Sequence, residues 1–538
     1  MAYPGGSGAG VSRVRSIEGM PEPVEHGPIL PMAGALPAHM EPGPGDDGNL
    51  TYPPWLPSPF ASPRPAAPQG DGEPMLVMKF GGSSLATPAH LRRAASIVRD
   101  RLNRHPIVVL SAMGSTTNEL LAAADRAFHT GEVDITKIKD IALATFGELK
   151  VDVPADVTGL LDDLQRILSG IALLKEISTR TRDLVVSFGE RLSVRVFSVL
   201  FNHVAATELK EKLPEAKPVD SWEAGMSTTS GGGSANSAFT QCEVLPQTYV
   251  KLNEFFFPLR KDYAYLPVVT GYIAKDPQGT ITTLGRDGSD LTATIVGAAV
   301  QASEVQIWKD VSGVMTTDPR VVPAARPVKI LTFEEAAELS TFGSKVVHPA
   351  AILPVWMVSV PISVLNSTAP EQPGTRILSE LESADLRDGL VAAMSSQREI
   401  TMIVIRSTRM LGQHGFLAHV FDVLHKFEVS VDVIATSEVT VSLTLDRGYK
   451  AVDLEGLKEE LEKVAKVEVR EGMGMLTLIA NKKDKTTVLR QAFEVFEEMK
   501  VEVEMVSHGA SNVNVTFVIQ NKALLDCARR LHARFFEV

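Results

Sequence analysis

The chain has 538 residues and a mass of 58.0 kDa, a length that implies two to four domains. With 53 basic against 65 acidic side chains its net charge is −12, which argues against a general nucleic-acid or anionic-membrane binder. Its two cysteines, Cys242 and Cys527, leave no disulfide framework and no basis for a cysteine zinc site, and no apolar run of about 18 residues is available to span a bilayer.

In chain order, residues 1–74 hold 16 of the 33 prolines among Gly, Ala and Ser, and read as a disordered extension with too little apolar surface to offset ordering entropy. Eight acids against three arginines depart from the acid-poor composition of transit peptides, so the expected home is a soluble, intracellular, reducing one, the cytoplasm, with plastid targeting by residues 1–74 as the alternative. From residue 75 short apolar runs alternate with helical patterns. Met75–Phe80 reads as a strand, Leu91, Ala94, Ala95, Ile97, Val98 and Leu102 mark a helix face, and Ile107–Leu110 is a second buried strand. That is a βαβ unit, so a mainly parallel sheet covered on both faces is expected. Further strands are predicted at Leu184–Ser187, Pro267–Thr270 and Val305–Ile307, a helix at Ala293–Ala302, and a flexible loop at 227–238. Residues 366–382 bridge to a different texture. Strands at Ile400–Ile405, Val429–Ile434 and Thr440–Leu445 enclose helices at Gly415–Lys426 and Leu454–Val464. A similar order returns over Gly474–Ala480, Thr487–Met499, Val501–Val506 and Asn514–Ile519. These are two βαββαβ-like copies.

Four clusters carry chemical potential. In Lys79-Phe80-Gly81-Gly82-Ser83-Ser84, glycines after a strand let backbone N–H groups face an anion, and Lys79 adds charge; a plain structural turn fits the glycines equally well. In Ser187-Phe188-Gly189-Glu190-Arg191, read as a strand leading into a helix start, Glu190 either caps a dipole or holds an ammonium. In Thr283–Ala293, Arg286 offers a fork for a carboxylate ahead of a helix N-terminus, whereas Ser289 or Asp290 as an ordinary N-cap explains only one residue. In Ile307–Arg320, Asp310 follows a buried strand at the carboxyl end where open α/β sheets bind ligands, and Arg320 and Lys345 offer the charge phosphoryl transfer needs, although either cation alone reads first as a solvated surface group. No His/Cys/Asp spacing fits a protein-held metal, so Mg²⁺ is expected to arrive with a nucleotide.

Together these strings, over about residues 75–538, resemble aspartate kinases of the amino-acid kinase family, closest in wording to the monofunctional plant type. Ser407–Gln413, Gly415–Ala418 and Val429–Glu438 resemble the regulatory ACT domains of lysine-sensitive members. The resemblance implies a three-layer α/β kinase domain followed by two ferredoxin-like ACT domains. The expected division is a 1–74 extension, a 75–370 catalytic domain, a 371–400 linker and joining strand, a 401–472 first ACT domain inserted in the second, and a 473–538 second ACT domain. A monofunctional enzyme, without a homoserine dehydrogenase domain after the second ACT module, is expected. The implied activity is ATP- and Mg²⁺-dependent phosphorylation of the L-aspartate β-carboxylate, with lysine as allosteric effector and a homodimer formed through the ACT domains. By the same resemblance Lys79, Asp290 and Arg286 serve catalysis. Thr117, Glu190, Arg286, Gly288 and Ser289 hold aspartate; Lys79, Gly81, Gly82, Ser83, Lys309, Asp310, Met315, Arg320, Lys345 and Val346 hold ATP. Lysine would touch Met410, Gln413, Gly415, Phe416, Leu417, Val431, Asp432, Ser437 and Glu438. Two departures stand out from the family pattern: Asp287 in place of glycine or asparagine, an extra acid beside an acidic substrate, and Met315 in place of tyrosine. The rival readings are another amino-acid kinase, such as a glutamate kinase, and a catalytically inactive amino-acid sensor.

Overall fold

The structure, a computed structural model, describes residues 75–209, 212–230, 242–285, 287–341, 347–380, 389–407, 415–445, 453–480, 485–509 and 513–537. The extension expected over 1–74 lies outside them.

The buried segment Leu76–Phe80, apolar apart from Lys79, forms β1, and Pro88–Arg99 forms α1, started by Pro88 and by Thr87, whose hydroxyl accepts from the His90 N–H. Pro106–Leu110 forms β2, parallel to β1 and beside it. Four helices follow: α2 (Thr116–His129), α3 (Thr136–Leu149), α4 (Ala155–Leu174) and α5 (Thr179–His203), then β3 (Glu215–Val219). Next come α6 (Gln247–Phe256), α7 (Pro258–Lys261), β4 (Tyr265–Thr270) and the hairpin of β5 (Ile273–Lys275) and β6 (Ile281–Thr283). The half closes with α8 (Gly288–Ala299), β7 (Glu304–Lys309), β8 (Ile330–Thr332), α9 (Phe333–Thr341), α10 (Pro349–Trp356), β9 (Ile362–Asn366) and β10 (Thr375–Leu378). Eight strands make one sheet in the order β3-β4-β2-β1-β7-β9-β10-β8, parallel except between β9 and β10. Side chains from α1 to α5 bury one face, and those from α6 and α8–α10 the other, giving three layers.

Three expectations are corrected. Leu184–Ser187 is not a strand but the second turn of α5, and Gly189-Glu190 lies mid-helix rather than at a helix start. The helix is packed on nearly all sides from Val185 to Phe201, so it lacks the polar face that would reveal its period, and Val185-Val186 mimics a buried strand. The helix expected from Ala293 begins at Gly288, because Asp287 takes a left-handed φ of 56° at the cap position and puts Ser289 and Asp290 into the first turn. Within the expected loop 227–238, Ser227 and Thr228 instead bridge to Lys275 and Val244, which ties this stretch to the β5–β6 hairpin; residues 231–238 lie outside the described set.

The C-terminal half comprises β11 (Val391–Arg406), α11 (Phe416–Lys426), β12 (Val431–Thr436), β13 (Thr440–Leu445), α12 (Leu454–Glu462), β14 (Lys466–Ala480), α13 (Lys485–Glu498), β15 (Val503–His508), β16 (Asn514–Gln520) and α14 (Asn521–Phe536). They form an antiparallel sheet ordered β12-β13-β11-β14-β16-β15. Strands β11 and β14 serve both repeats: Val391–Gln397 pairs with Met475–Ala480, and Met402–Arg406 with Lys466–Arg470. The last helix, α14, was not anticipated, although Leu524, Cys527, Ala528 and Leu531 carry the spacing of a buried helical face.

Candidate active site

Strand β1 lies between β2, which follows it in the chain, and β7, which is reached from the other side, so their carboxyl ends meet at a topological switch point. Lys79 pairs in register with Ile307, and Lys309 follows two residues later on the same face. Both lysines meet Asp290 in the first turn of α8: Lys79 Nζ is 2.6 Å from Oδ1, and Lys309 Nζ is 3.1 Å from Oδ2. Burial alone would raise the Asp290 carboxyl, but the two ammonium groups outweigh it and hold the carboxyl below its ordinary range. At these distances each attraction is worth roughly 5–6 kcal/mol at an effective dielectric near 20, enough to offset a desolvation penalty of several kcal/mol. The helix N-terminus favours the same charge.

Glu190 approaches from α5. Its Oε1 accepts the Ala112 N–H at 3.2 Å, and Oε2 is buried with no hydrogen-bond partner among the described residues. Burial raises its pKa to about 8, opposed by the Ala112 hydrogen bond and by the charge of Lys79. A buried carboxyl with one oxygen left over is a receptor waiting for a donor. Gly189 lets α5 come this close, since a Cβ there would sit 2.8 Å from Ala112 Cβ; Thr117 Oγ1, at the start of α2, would be 3.8 Å from it. Gly82 plays the same part across the loops after β1 and β2: a Cβ would stand 2.8 Å from Ala112 O, while Gly82 O accepts the Gly114 N–H at 2.9 Å.

The expected site residues therefore divide. Lys79, Gly81, Lys309, Glu190, Thr117, Gly288, Ser289 and Asp290 gather at the carboxyl ends of β1, β2 and β7, with Gly82 and Ser83 in the turn after β1. Asp310 is exposed just past β7, and Met315 is half-buried in the following loop. Arg320 is 89% exposed and engages Asp318 at 2.8 Å. Arg286, Lys345 and Val346 lie outside the described residues. Asp287 is exposed, so water screens the extra acid.

Two neighbours escaped the sequence reading. Asp183, also on α5, accepts from Thr283 Oγ1 at 3.2 Å. It lies seven residues before Glu190, a same-face spacing that becomes legible once the segment is seen as helix. Tyr272, at φ 69° just past β4, has its hydroxyl raised well above its usual pKa, mostly by burial, with Thr283 opposing and Glu190 and Asp183 adding.

Of the expected effector residues, Gly415, Phe416 and Leu417 open α11, Val431 and Asp432 begin β12, and Ser437 and Glu438 follow its end; Met410 and Gln413 lie outside the described residues. Because α11 runs antiparallel to the parallel strands β11 and β12, residues 415–417 share an end of the module with 437–438. Asp432 lies near the start of β12 and Glu438 in the turn after its end, with four residues of strand, roughly 13 Å, between Asp432 and Thr436.

Residues 74–366 match the amino acid kinase family, and 480–535 match an ACT domain. The chain belongs to the amino acid kinase family, among the aspartokinases. It is 40% identical to aspartokinase 1, chloroplastic, of Arabidopsis thaliana over 86% of this chain and 80% of that one, and 34% identical to lysine-sensitive aspartokinase 3 of Escherichia coli over 86% and 99%. Among solved structures it is similar to E. coli aspartokinase III in complex with aspartate and ADP, with a TM-score of 0.68 and 32% identity over 85% of this chain and 99% of that one. A similar likeness, TM-score 0.66 and 31% identity, joins it to the complex of that enzyme with lysine and aspartate.

Proposed function

We propose that the chain is an aspartate kinase, transferring the terminal phosphoryl group of ATP to the β-carboxylate of L-aspartate and yielding 4-phospho-L-aspartate and ADP, the first step toward lysine, threonine and methionine. The single observation that carries the site assignment is the convergence of Lys79, Lys309 and Asp290 with the half-satisfied Glu190 at one switch point.

Each residue then has a chemical task. Glu190 receives the substrate ammonium, Thr117 and Ser289 border the same pocket, and Arg286 takes the α-carboxylate. The β-carboxylate is ionised at neutral pH, so an oxygen attacks the γ-phosphorus without a general base, and the bond to the bridging oxygen of ADP breaks. Lys79 neutralises charge on the transferring group, and Asp290 keeps Lys79 and Lys309 aimed while preventing their mutual repulsion. Gly81, Gly82 and Ser83 line the phosphate approach. Lys309, Asp310, Met315, Arg320, Lys345 and Val346 are assigned to the nucleotide. Among the described residues no cluster of acids, histidines or cysteines could hold a metal, and both Asp290 oxygens face ammonium groups, which fits Mg²⁺ carried on the phosphates. When bound, Mg²⁺ supplies further neutralisation of phosphate charge.

The domain division of the sequence reading belongs to the same proposal, with one refinement: residues 391–397 pair with 475–480, so the joining segment completes the second ACT module. Lysine is the proposed effector. Since Asp432 and Glu438 of one chain lie at opposite ends of β12, a pocket using both requires a second copy, which supports a homodimer through the ACT modules. The plant relatives are named chloroplastic, which favours the plastid alternative for residues 1–74; no described helix is long and apolar enough to cross a membrane.

The test is hydroxamate trapping of acyl phosphate with ATP and, separately, aspartate, glutamate and N-acetylglutamate. Aspartate alone should give product. Turnover restricted to glutamate points to the other kinase, and none with any substrate to the inactive sensor.

A further inference from the structure

The segment after β7 folds back as an irregular arm. Val328 N–H donates to Val314 O at 2.7 Å and Thr316 N–H to Arg326 O at 2.8 Å, so residues 314–328 pair with themselves and carry Met315 and Arg320 between them. Thr375 anchors the base of the arm to the kinase sheet: its hydroxyl donates to Val328 O at 2.5 Å and accepts the Val314 N–H at 2.8 Å. The other side of the arm is held by the C-terminal half. Met394 N–H, in β11, donates to Thr316 O at 2.7 Å; Arg529 Nε, on α14, donates to Val321 O at 3.2 Å; and Val321 packs on the apolar core of the second repeat.

At the centre of this contact, Thr316 Oγ1 lies 3.0 Å from His532 Nε2, 216 residues away, with both side chains buried. His532 Nδ1 is 3.1 Å from Glu537 Oε1. A carboxylate accepts only, so Nδ1–H donates to Glu537, and in that tautomer Nε2 accepts from the Thr316 hydroxyl. Thr316 Oγ1 in turn accepts the Arg326 N–H at 3.1 Å. The result is a directed chain, Arg326 to Thr316 to His532 to Glu537, in which every member has its partner. A packing contact between two domains needs no such chain; this one fixes the rotamer of a residue next to Met315 and braces both limbs of the arm.

We propose that His532 is a positioning residue for the nucleotide: through Thr316 it sets the arm that presents Met315 and Arg320, so the second ACT module governs ATP affinity separately from aspartate affinity. This rests on the nucleotide assignment of those two residues made above.

The full-length enzyme tests it by steady-state kinetics. Thr316→Val keeps the shape and removes the hydroxyl; His532→Leu removes the acceptor. Each should raise the KM for ATP about five- to tenfold, the scale of one lost hydrogen bond, while kcat at saturating ATP and the KM for aspartate stay within about twofold. Thr316→Ser and His532→Gln should restore the ATP KM. An unchanged ATP KM, or equal changes toward both substrates, overturns the proposal, and Thr316→Val decides alone if His532→Leu fails to fold. Arg320→Ala separates the two assignments. If it raises the ATP KM while Thr316→Val does not, only the coupling fails. If Arg320→Ala has no effect on the ATP KM, the nucleotide assignment falls and this proposal with it.

Discussion

Glu190 gives the sharpest consequence of the site. Its pKa of about 8 means that at pH 7 only about a tenth of the free enzyme carries the carboxylate that an ammonium requires. Binding of aspartate must therefore expel a proton, and kcat/KM for aspartate should climb close to tenfold per pH unit below pH 8 before levelling. Glu190→Gln keeps the size of the side chain and an oxygen for the Ala112 N–H, but has no charge to gain. On the plateau it should cost the 30- to 150-fold of a lost charge-assisted hydrogen bond, about 2–3 kcal/mol. At pH 7 the deficit shrinks about tenfold, because wild type is itself mostly protonated there. The assay is kcat/KM for aspartate from pH 6.5 to 8.5 at saturating ATP, for both proteins. A flat wild-type profile, or an equal slope in Glu190→Gln, would refute the assignment of Glu190 to the ammonium.

The same group has a stability signature in the ligand-free protein. Between pH 4.5 and about 8 the unfolded chain loses this proton while the folded chain keeps it, so the Glu190 contribution falls as pH rises. Urea unfolding should show Glu190→Gln gaining on wild type across that window by an amount approaching about 5 kcal/mol. Lys79→Ala should lower kcat at least about a hundredfold with little change in aspartate KM, whereas a near-normal kcat contradicts its role at the phosphoryl group. Asp290→Asn leaves two ammonium groups facing each other without a counter-charge, so urea unfolding should register a loss of about 3–5 kcal/mol; a neutral result means that the two lysines turn to solvent. Glu438→Ala should relieve lysine inhibition at unchanged uninhibited rate, and undiminished inhibition places the effector elsewhere.

What could be read from the residues followed the physics of exposure. The pair β1 and β2 was legible because two short, mostly apolar segments flank a helix with one apolar face. Helix α5 was not, because burial on nearly all sides erases the periodic signal, and Asp183 was hidden with it. Spacing alone had no means of joining Lys79 to Asp290, since their contact depends on the sheet bringing α8 over β1; the family resemblance supplied that link before the structure did. Other features depended on placement in space. His348 caps α10 by accepting the Ala350 N–H at 3.3 Å. The separation of Asp432 from Glu438 along β12 and the clasp of His532 on Thr316 emerge only when strands and helices are positioned.

The most direct test follows one oxygen atom. Aspartate labelled with ¹⁸O in its β-carboxylate is incubated with ATP and enzyme, the acyl phosphate is cleaved at carbon by hydroxylamine, and the released phosphate is examined by ³¹P NMR. Attack of the β-carboxylate on the γ-phosphorus predicts phosphate carrying a single ¹⁸O, formed in step with ADP and lost in Lys79→Ala. Phosphate free of label, or ADP formed without aspartate, would contradict the transfer this site is built to perform.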